Sequence, residues 1–143
     1  MNNKAILYSP AKLNIFLKVL GKRKDGYHQI RSGITFLNIF DKIELEESNE
    51  NSIYYDGVFG PKNGLYEDCI IKKTLIFLKI YDKFKFKISV NKNIPVQGGL
   101  GSGSSNAATI IRYLEKKKLI KQKPISQYSV LGADIPCFLY KKN

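Results

Sequence analysis

The 143 residues contain no tryptophan, a single histidine, a single methionine and two cysteines. That scarcity excludes several chemistries. A structural zinc site draws on clustered Cys and His. Here His28 stands alone, Cys69 and Cys137 lack close C-x-x-C spacing, and the carboxylates do not cluster, so no metal held only by protein is expected. Both cysteines lie in apolar surroundings and are expected to be buried and reduced. Nor is there an apolar run approaching the roughly 18 residues of a membrane helix, and the first residues lack the order of a secretory leader. The expectation is a cytoplasmic protein with no membrane partner.

Acidic residues are also few, 12 against 24 Lys and Arg, giving a net charge of +12. A basic surface attracts nucleic acid. Only 3 of the 24 basic residues are arginine, however, the residue whose planar fork suits phosphate and bases. The wealth of Lys, Ile, Asn, Tyr and Phe has a sufficient cause in A/T-rich codons. A nucleic-acid partner is therefore not expected, and the charge reads as a solvated basic face.

What is present is a globular pattern: 43% hydrophobic residues, with 8 Phe and 9 Tyr spread along a length that suits one domain. Leu13, Ile15, Leu17 and Val19 alternate with other residues, which predicts a strand bounded by Pro10. Lys22 to Gly26 predicts a turn, followed by strands at Ile30 to Leu37 and Lys42 to Leu45. Asn49 to Tyr66 reads as a loop with at most one strand around Ile53 to Tyr55. Helical spacing from Glu67 to Tyr81 precedes a half-buried strand, Phe84 to Val90. A second helix is expected with Ser104, Ser105 and Asn106 in its first turn and lysines 116 to 118, 121 and 123 at its end, where basic residues suit the helix dipole. A short turn or helix near Ser126 to Leu131 and a strand-like Cys137 to Tyr140 close the chain.

The most informative segment joins the Phe84 to Val90 strand to the second helix: Pro95, Val96, Gln97, Gly98, Gly99, Leu100, Gly101, Ser102, Gly103, Ser104 and Ser105, running on into Asn106-Ala-Ala108. A linker between domains would have polar flanks. This stretch sits inside a strand-loop-helix unit, where glycines let backbone amides approach an anion and the helix N-terminus adds free N–H groups. It reads as a phosphate cradle. No Gly-Lys-Ser/Thr follows it, Ser104 occupies the third glycine position of a dinucleotide fingerprint, and the protein-kinase motifs are missing.

The form P-x-x-G-G-L-G-x-G-S-S-N-A-A resembles the ATP loop of the GHMP kinase superfamily. Two further segments, Pro10-Ala-Lys-Leu-Asn-Ile-Phe-Leu17 with Asp25-Gly-Tyr-His28, and Leu131-Gly-Ala-Asp-Ile-Pro136, extend the likeness to both ends of the chain. Together they resemble, within that superfamily, the kinases of 4-diphosphocytidyl-2-C-methyl-D-erythritol in non-mevalonate isoprenoid biosynthesis. The resemblance implies an α+β fold, the GHMP-kinase N-terminal domain of the ribosomal protein S5 domain 2-like type, with a mainly antiparallel sheet packed on helices. It implies ATP as phosphoryl donor, Mg2+ carried with the nucleotide, and a cytidine-diphosphate-linked polyol phosphorylated on its 2-hydroxyl.

By the same resemblance Asp134 matches the catalytic base and Lys12 the catalytic lysine, with Asn14 beside them and Tyr27 and His28 holding the cytidine. The residue types suit the work: a hydroxyl attacking phosphorus needs a proton acceptor, and the transferring phosphoryl needs a cation. Apart from the resemblance, Asp134 reads first as a turn aspartate and Lys12 as an edge-strand lysine, and Tyr27 and His28 read equally as an aromatic pair packing beside a turn. Gln97 and Ser102 stand where the family usually has glycine, which predicts some loss of backbone freedom. The family's chains are about twice as long, so a separate C-terminal half is an expected partner. The alternatives are a half-enzyme that binds ATP without turnover and a basic RNA-binding domain of similar fold.

Overall fold

The structure, a computed structural model, describes residues 3–140. A mixed sheet of four strands in the order β1-β2-β4-β3 forms one layer. Its strands are β1 (Ala5–Lys22), β2 (His28–Glu47), β3 (Ser52–Asp56) and β4 (Phe86–Asn91). β1 pairs with β2 and β2 with β4 antiparallel, whereas β3 and β4 run parallel. Helices α1 (Ile70–Phe77), α2 (Ser102–Lys116) and α3 (Ile135–Tyr140) supply the other layer, with a short 3-10 turn at Ile125–Val130. This is the α+β architecture expected, with one parallel pair among the antiparallel ones.

Period-2 alternation builds the core face. Ile43 and Leu45 of β2 and Phe86, Ile88 and Val90 of β4 are buried against Ile71 and Leu75 of α1 and Ile110, Ile111 and Leu114 of α2. Burying each such side chain contributes roughly 1.5–3 kcal/mol.

Several elements depart from expectation for identifiable reasons. Pro10 lies inside β1 rather than bounding it. β1 is an edge strand, where a missing N–H costs no ladder bond, and its register with β2 shifts between Pro10 and Lys12. The two strands expected at 30–37 and 42–45 are one strand, because Asp41 between them turns inward and is fully buried. α1 is shorter than 67–81. Cys69 caps its start, Sγ accepting from the Lys72 amide at 3.5 Å, and Lys79 at φ 59° ends it while Ile80 N–H reaches back to Leu75 C=O at 3.1 Å. That is a Schellman closure with lysine in the glycine position. Lys118, at φ 58°, closes α2 in the same way through Leu119 N–H to Leu114 C=O at 3.0 Å. The segment expected as a strand, Cys137 to Tyr140, is helical in α3. Neither cysteine is fully buried: both are partly exposed free thiols.

Candidate active site

The glycine-rich loop leaves β4 and enters α2 two residues earlier than capping residue types suggested. Gly101, at φ 68°, is the N-cap, and it caps with no side chain. The first amides of a helix have no intrahelical partner, so this end of α2 offers N–H groups and partial positive charge. Glycine is required at Gly101 for two reasons. Its φ is left-handed, and a Cβ there would lie 3.0 Å from the Phe138 ring and 3.2 Å from Lys12 Cε. Gly99 is also left-handed at φ 69°, and a Cβ there would meet nothing within 4 Å, so the loop is open on that side. Residues 96–99 are exposed.

Lys12 reaches the loop through an irregularity in β1. The register shift after Pro10 frees its amide from the β2 ladder, and that amide donates to Leu100 C=O at 2.9 Å. The side chain is buried, only 3% exposed, and runs under Gly101 to place Nζ 3.4 Å from Asp134 Oδ2. Asp134 comes from the opposite side. Gly132 sits against Ser104 of α2, close enough that a Cβ would stand 3.1 Å from the Ser104 hydroxyl, and Ile135 N–H donates to Gly132 C=O at 3.1 Å. Phe138, one turn into α3, packs on Phe36 at a centroid distance of 5.6 Å, while Arg112 donates to Leu139 C=O at 2.7 Å. α3 is thereby fixed to both sheet and α2. The Asp134 carboxylate remains 48% exposed, accessible to a substrate. Burial pushes the neighbouring Cys137 thiol up, the Asp134 charge adding to the effect and Lys12 opposing it.

The loop, Lys12 and Asp134, drawn from three separated segments, are thus assembled at one end of the molecule. Asn14, Tyr27 and His28 are not part of that cluster. Asn14 is exposed on β1 opposite Ile34. Tyr27 and His28 sit at the tip of the β1–β2 hairpin, where Arg23 pairs with Asp25 at 2.9 Å and Tyr27 N–H bonds Asp25 Oδ1 at 3.1 Å. Tyr27 is 73% exposed. Lys22, the partner of His28, lies ten residues on from Lys12, a path of at most about 36 Å.

Sequence reasoning missed a buried polar cluster directly beneath the loop. Lys92 Nζ donates to Asp41 Oδ2 at 2.5 Å, to Asn106 Oδ1 at 2.7 Å and to the Ser102 hydroxyl. Ser102 in turn donates to Asp41 Oδ2 at 2.8 Å. Ser102, one of the two positions where the family usually has glycine, is a helical residue whose hydroxyl is buried in this cluster. Desolvation pushes the Lys92 ammonium below its ordinary value, and the bond to Asp41 opposes the shift. A signal for the pair was available: Asp41 shares parity with Ile43 and Leu45 on β2, and Lys92, the residue just after β4, with Ile88 and Val90, so both charges face the core.

Among the described residues, no group of three or more His, Cys, Asp and Glu could hold a metal ion, and no helix is long and apolar enough to cross a membrane.

Comparison with known proteins agrees with this fold. Residues 69–142 match the family described as GHMP kinases N terminal domain. The chain is 37% identical over 139 residues to a 4-diphosphocytidyl-2-C-methyl-D-erythritol kinase of Sulfurihydrogenibium sp. (strain YO3AOP1), covering 94% of this chain and 49% of that protein. It is 39% identical over 143 residues to the kinase of the same name from Thermotoga petrophila, covering 97% and 51%. A crystal structure of 4-(cytidine 5'-diphospho)-2C-methyl-D-erythritol kinase superposes with a TM-score of 0.71 at 27% identity, covering 94% of this chain and 48% of that one. The chain spans about half the length of the curated relatives it matches. On the matched domain, and on a fold and loop that agree with it, this chain belongs to the GHMP kinase family.

Proposed function

We propose that the chain is the nucleotide-binding and catalytic half of a kinase that moves the γ-phosphoryl of ATP onto the 2-hydroxyl of 4-diphosphocytidyl-2-C-methyl-D-erythritol. The observation that carries the reading is the convergence of Lys12 and Asp134, 3.4 Å apart, beneath the N-cap of α2. Loop and helix amides from Gly98 to Ser104 receive the phosphates of the nucleotide. The substrate hydroxyl gives its proton to Asp134 as its oxygen bonds to the γ-phosphorus, and the bond to the β-phosphate oxygen breaks to release ADP. Lys12 offsets charge on the transferring phosphoryl. Mg2+ travels with the nucleotide and neutralises its phosphate oxygens. Asn14, Tyr27 and His28 are proposed contacts of the polyol and cytosine along the hairpin, with Tyr27 offering an exposed ring for stacking.

A second domain completes this half. The distal hairpin exposes Leu13, Ile15, Phe16, Leu17, Val19 and Leu20 on both faces, and the free edge of β1 borders an open groove of about 950 Å³ against α2. Apolar surface of that extent calls for a covering partner. The half of the relatives' length that these residues do not span is the proposed cover.

The test is coupled ADP release with ATP-Mg and the cytidine-diphosphate polyol, run on the chain alone and mixed with the second half of a relative. Substrate-dependent ADP release in the mixture supports the assignment. Nucleotide binding with no release in any mixture would refute the catalytic role, and absence of nucleotide binding would refute the reading altogether.

A further inference from the structure

The glycine-rich loop enters from residue 94 and leaves at residue 102, and a single carboxylate holds both places. Asp41 Oδ1 accepts the amides of Asn93 at 2.7 Å and Ile94 at 3.0 Å, on the entry side. Its Oδ2 accepts from Ser102 at 2.8 Å and Asn106 Nδ2 at 3.0 Å, on the exit side, and from Lys92 at 2.5 Å. Asp41 is fully buried, and Lys92, Ser102 and Asn106 are nearly so. No buried side-chain polar atom among the described residues lacks a partner.

The same cluster extends to the strand that carries Lys12. Asn106 Nδ2 donates to the Ser9 hydroxyl at 2.9 Å, Ser9 to Ser105 at 2.8 Å, and Ser105 to Pro10 C=O at 2.6 Å. Pro10 lies two residues before Lys12, where the β1 register shifts. One connected set of hydrogen bonds therefore spans the loop entry, the loop exit and the base of the Lys12 strand.

We propose that Asp41 is the positioning residue of the phosphate loop: by tying residues 93 and 94 to Ser102 it fixes the separation of the loop's ends, and so the shape of the amide cradle between them. Lys92 is its counter-ion and Ser102 its link to α2. The inference rests on the nucleotide reading only for its consequence, since the coupling of the two loop ends exists without ligand. Buried charges are costly unless paired and hydrogen-bonded, and a fully satisfied network specifies one arrangement of the segments it joins. An apolar contact beneath the loop would leave its width unspecified. A serine hydroxyl at 102 adds a bond to Asp41 at the first turn of α2, where a glycine would leave only Asn106 to hold the exit, so this chain holds its loop from both sides.

The experiment alters the exit and reads the entry. Ser102→Ala removes one hydroxyl from Asp41 and leaves its other partners in place. Amide hydrogen exchange is followed by NMR on the whole chain without ligand, and Mg-ATP and adenosine affinities are measured by calorimetry on the same samples. The expected result is exchange about five- to ten-fold faster at Asn93 and Ile94, with Ile88 and Val90 unchanged, and Mg-ATP binding weakened about ten-fold while adenosine binding is unaltered. Ser102→Thr, which keeps the hydroxyl, should recover most of both. Unchanged exchange at Ile94, or an increase shared equally by Ile88 and Val90, would overturn the clamp. Exchange that changes as expected in a chain that does not bind Mg-ATP would uphold the clamp and refute the nucleotide reading.

Discussion

The two ends of the β1–β2 hairpin are made of the same strands under opposite conditions. At the base, Ser9, Ala11, Lys12, Asp41, Ile43 and Leu45 are buried, and even the charged members of the set have partners. Beyond Leu13 the strands project away from the helices, and large apolar side chains stand in water on both faces. The base spends buried polar groups on holding a loop and a lysine in place; the tip carries Tyr27 and His28 on a ribbon with little to hold it. Two-stranded ribbons are marginal by themselves. The groups proposed for phosphoryl transfer thus lie where the chain is well packed, and the proposed substrate contacts lie where it needs cover.

If that division is right, Asp134→Ala should give the largest effect, a fall of about 10²–10⁴ in kcat of the complemented enzyme with nucleotide affinity within a few-fold. Steady-state ADP release and calorimetry check it; an equal loss of both would remove Asp134 from the role of base. Next in size, Lys92→Met leaves Asp41 buried without its counter-ion and should cost about 3–5 kcal/mol in urea unfolding. Gly101→Ala comes third. With φ at 68° and the Phe138 ring 3.0 Å from the added Cβ, it should cost about 1–2 kcal/mol and weaken Mg-ATP binding roughly ten-fold. The smallest effect belongs to the tip. Val19→Ser is expected to change the stability of this chain by less than about 0.5 kcal/mol, yet to weaken its association with a complementing half in analytical ultracentrifugation. A large stability loss from Val19→Ser would mean that the ribbon is packed after all, and would erase the contrast between the two ends.

Much of this was legible in the residues. The loop, its position between a strand and a helix, and the segments bearing Lys12 and Asp134 could be read because each carries a local pattern that depends on few neighbours. Helix ends were less so. Lysine, not glycine, occupies the left-handed closing positions at Lys79 and Lys118, and nothing in residue type announces that stop. The continuity of β2 across Asp41 was not legible, because the partner of Asp41, Lys92, is supplied by the residue just after β4, a tertiary contact that local periodicity does not contain. The parity of both residues with their apolar neighbours carried the missing information. Cys137 to Tyr140 looked like a strand because a short apolar run has no period to distinguish it from a helix turn packed on a sheet.

The measurement that bears most directly on the account is a titration of the isotope-labelled chain with Mg-ATP, followed by amide chemical shifts. The account predicts saturable shifts at Gly98 through Ser105 and at Lys12 and its neighbours, and little change elsewhere. Shifts centred instead on the lysines from 116 to 123, or none at saturating nucleotide, would contradict it.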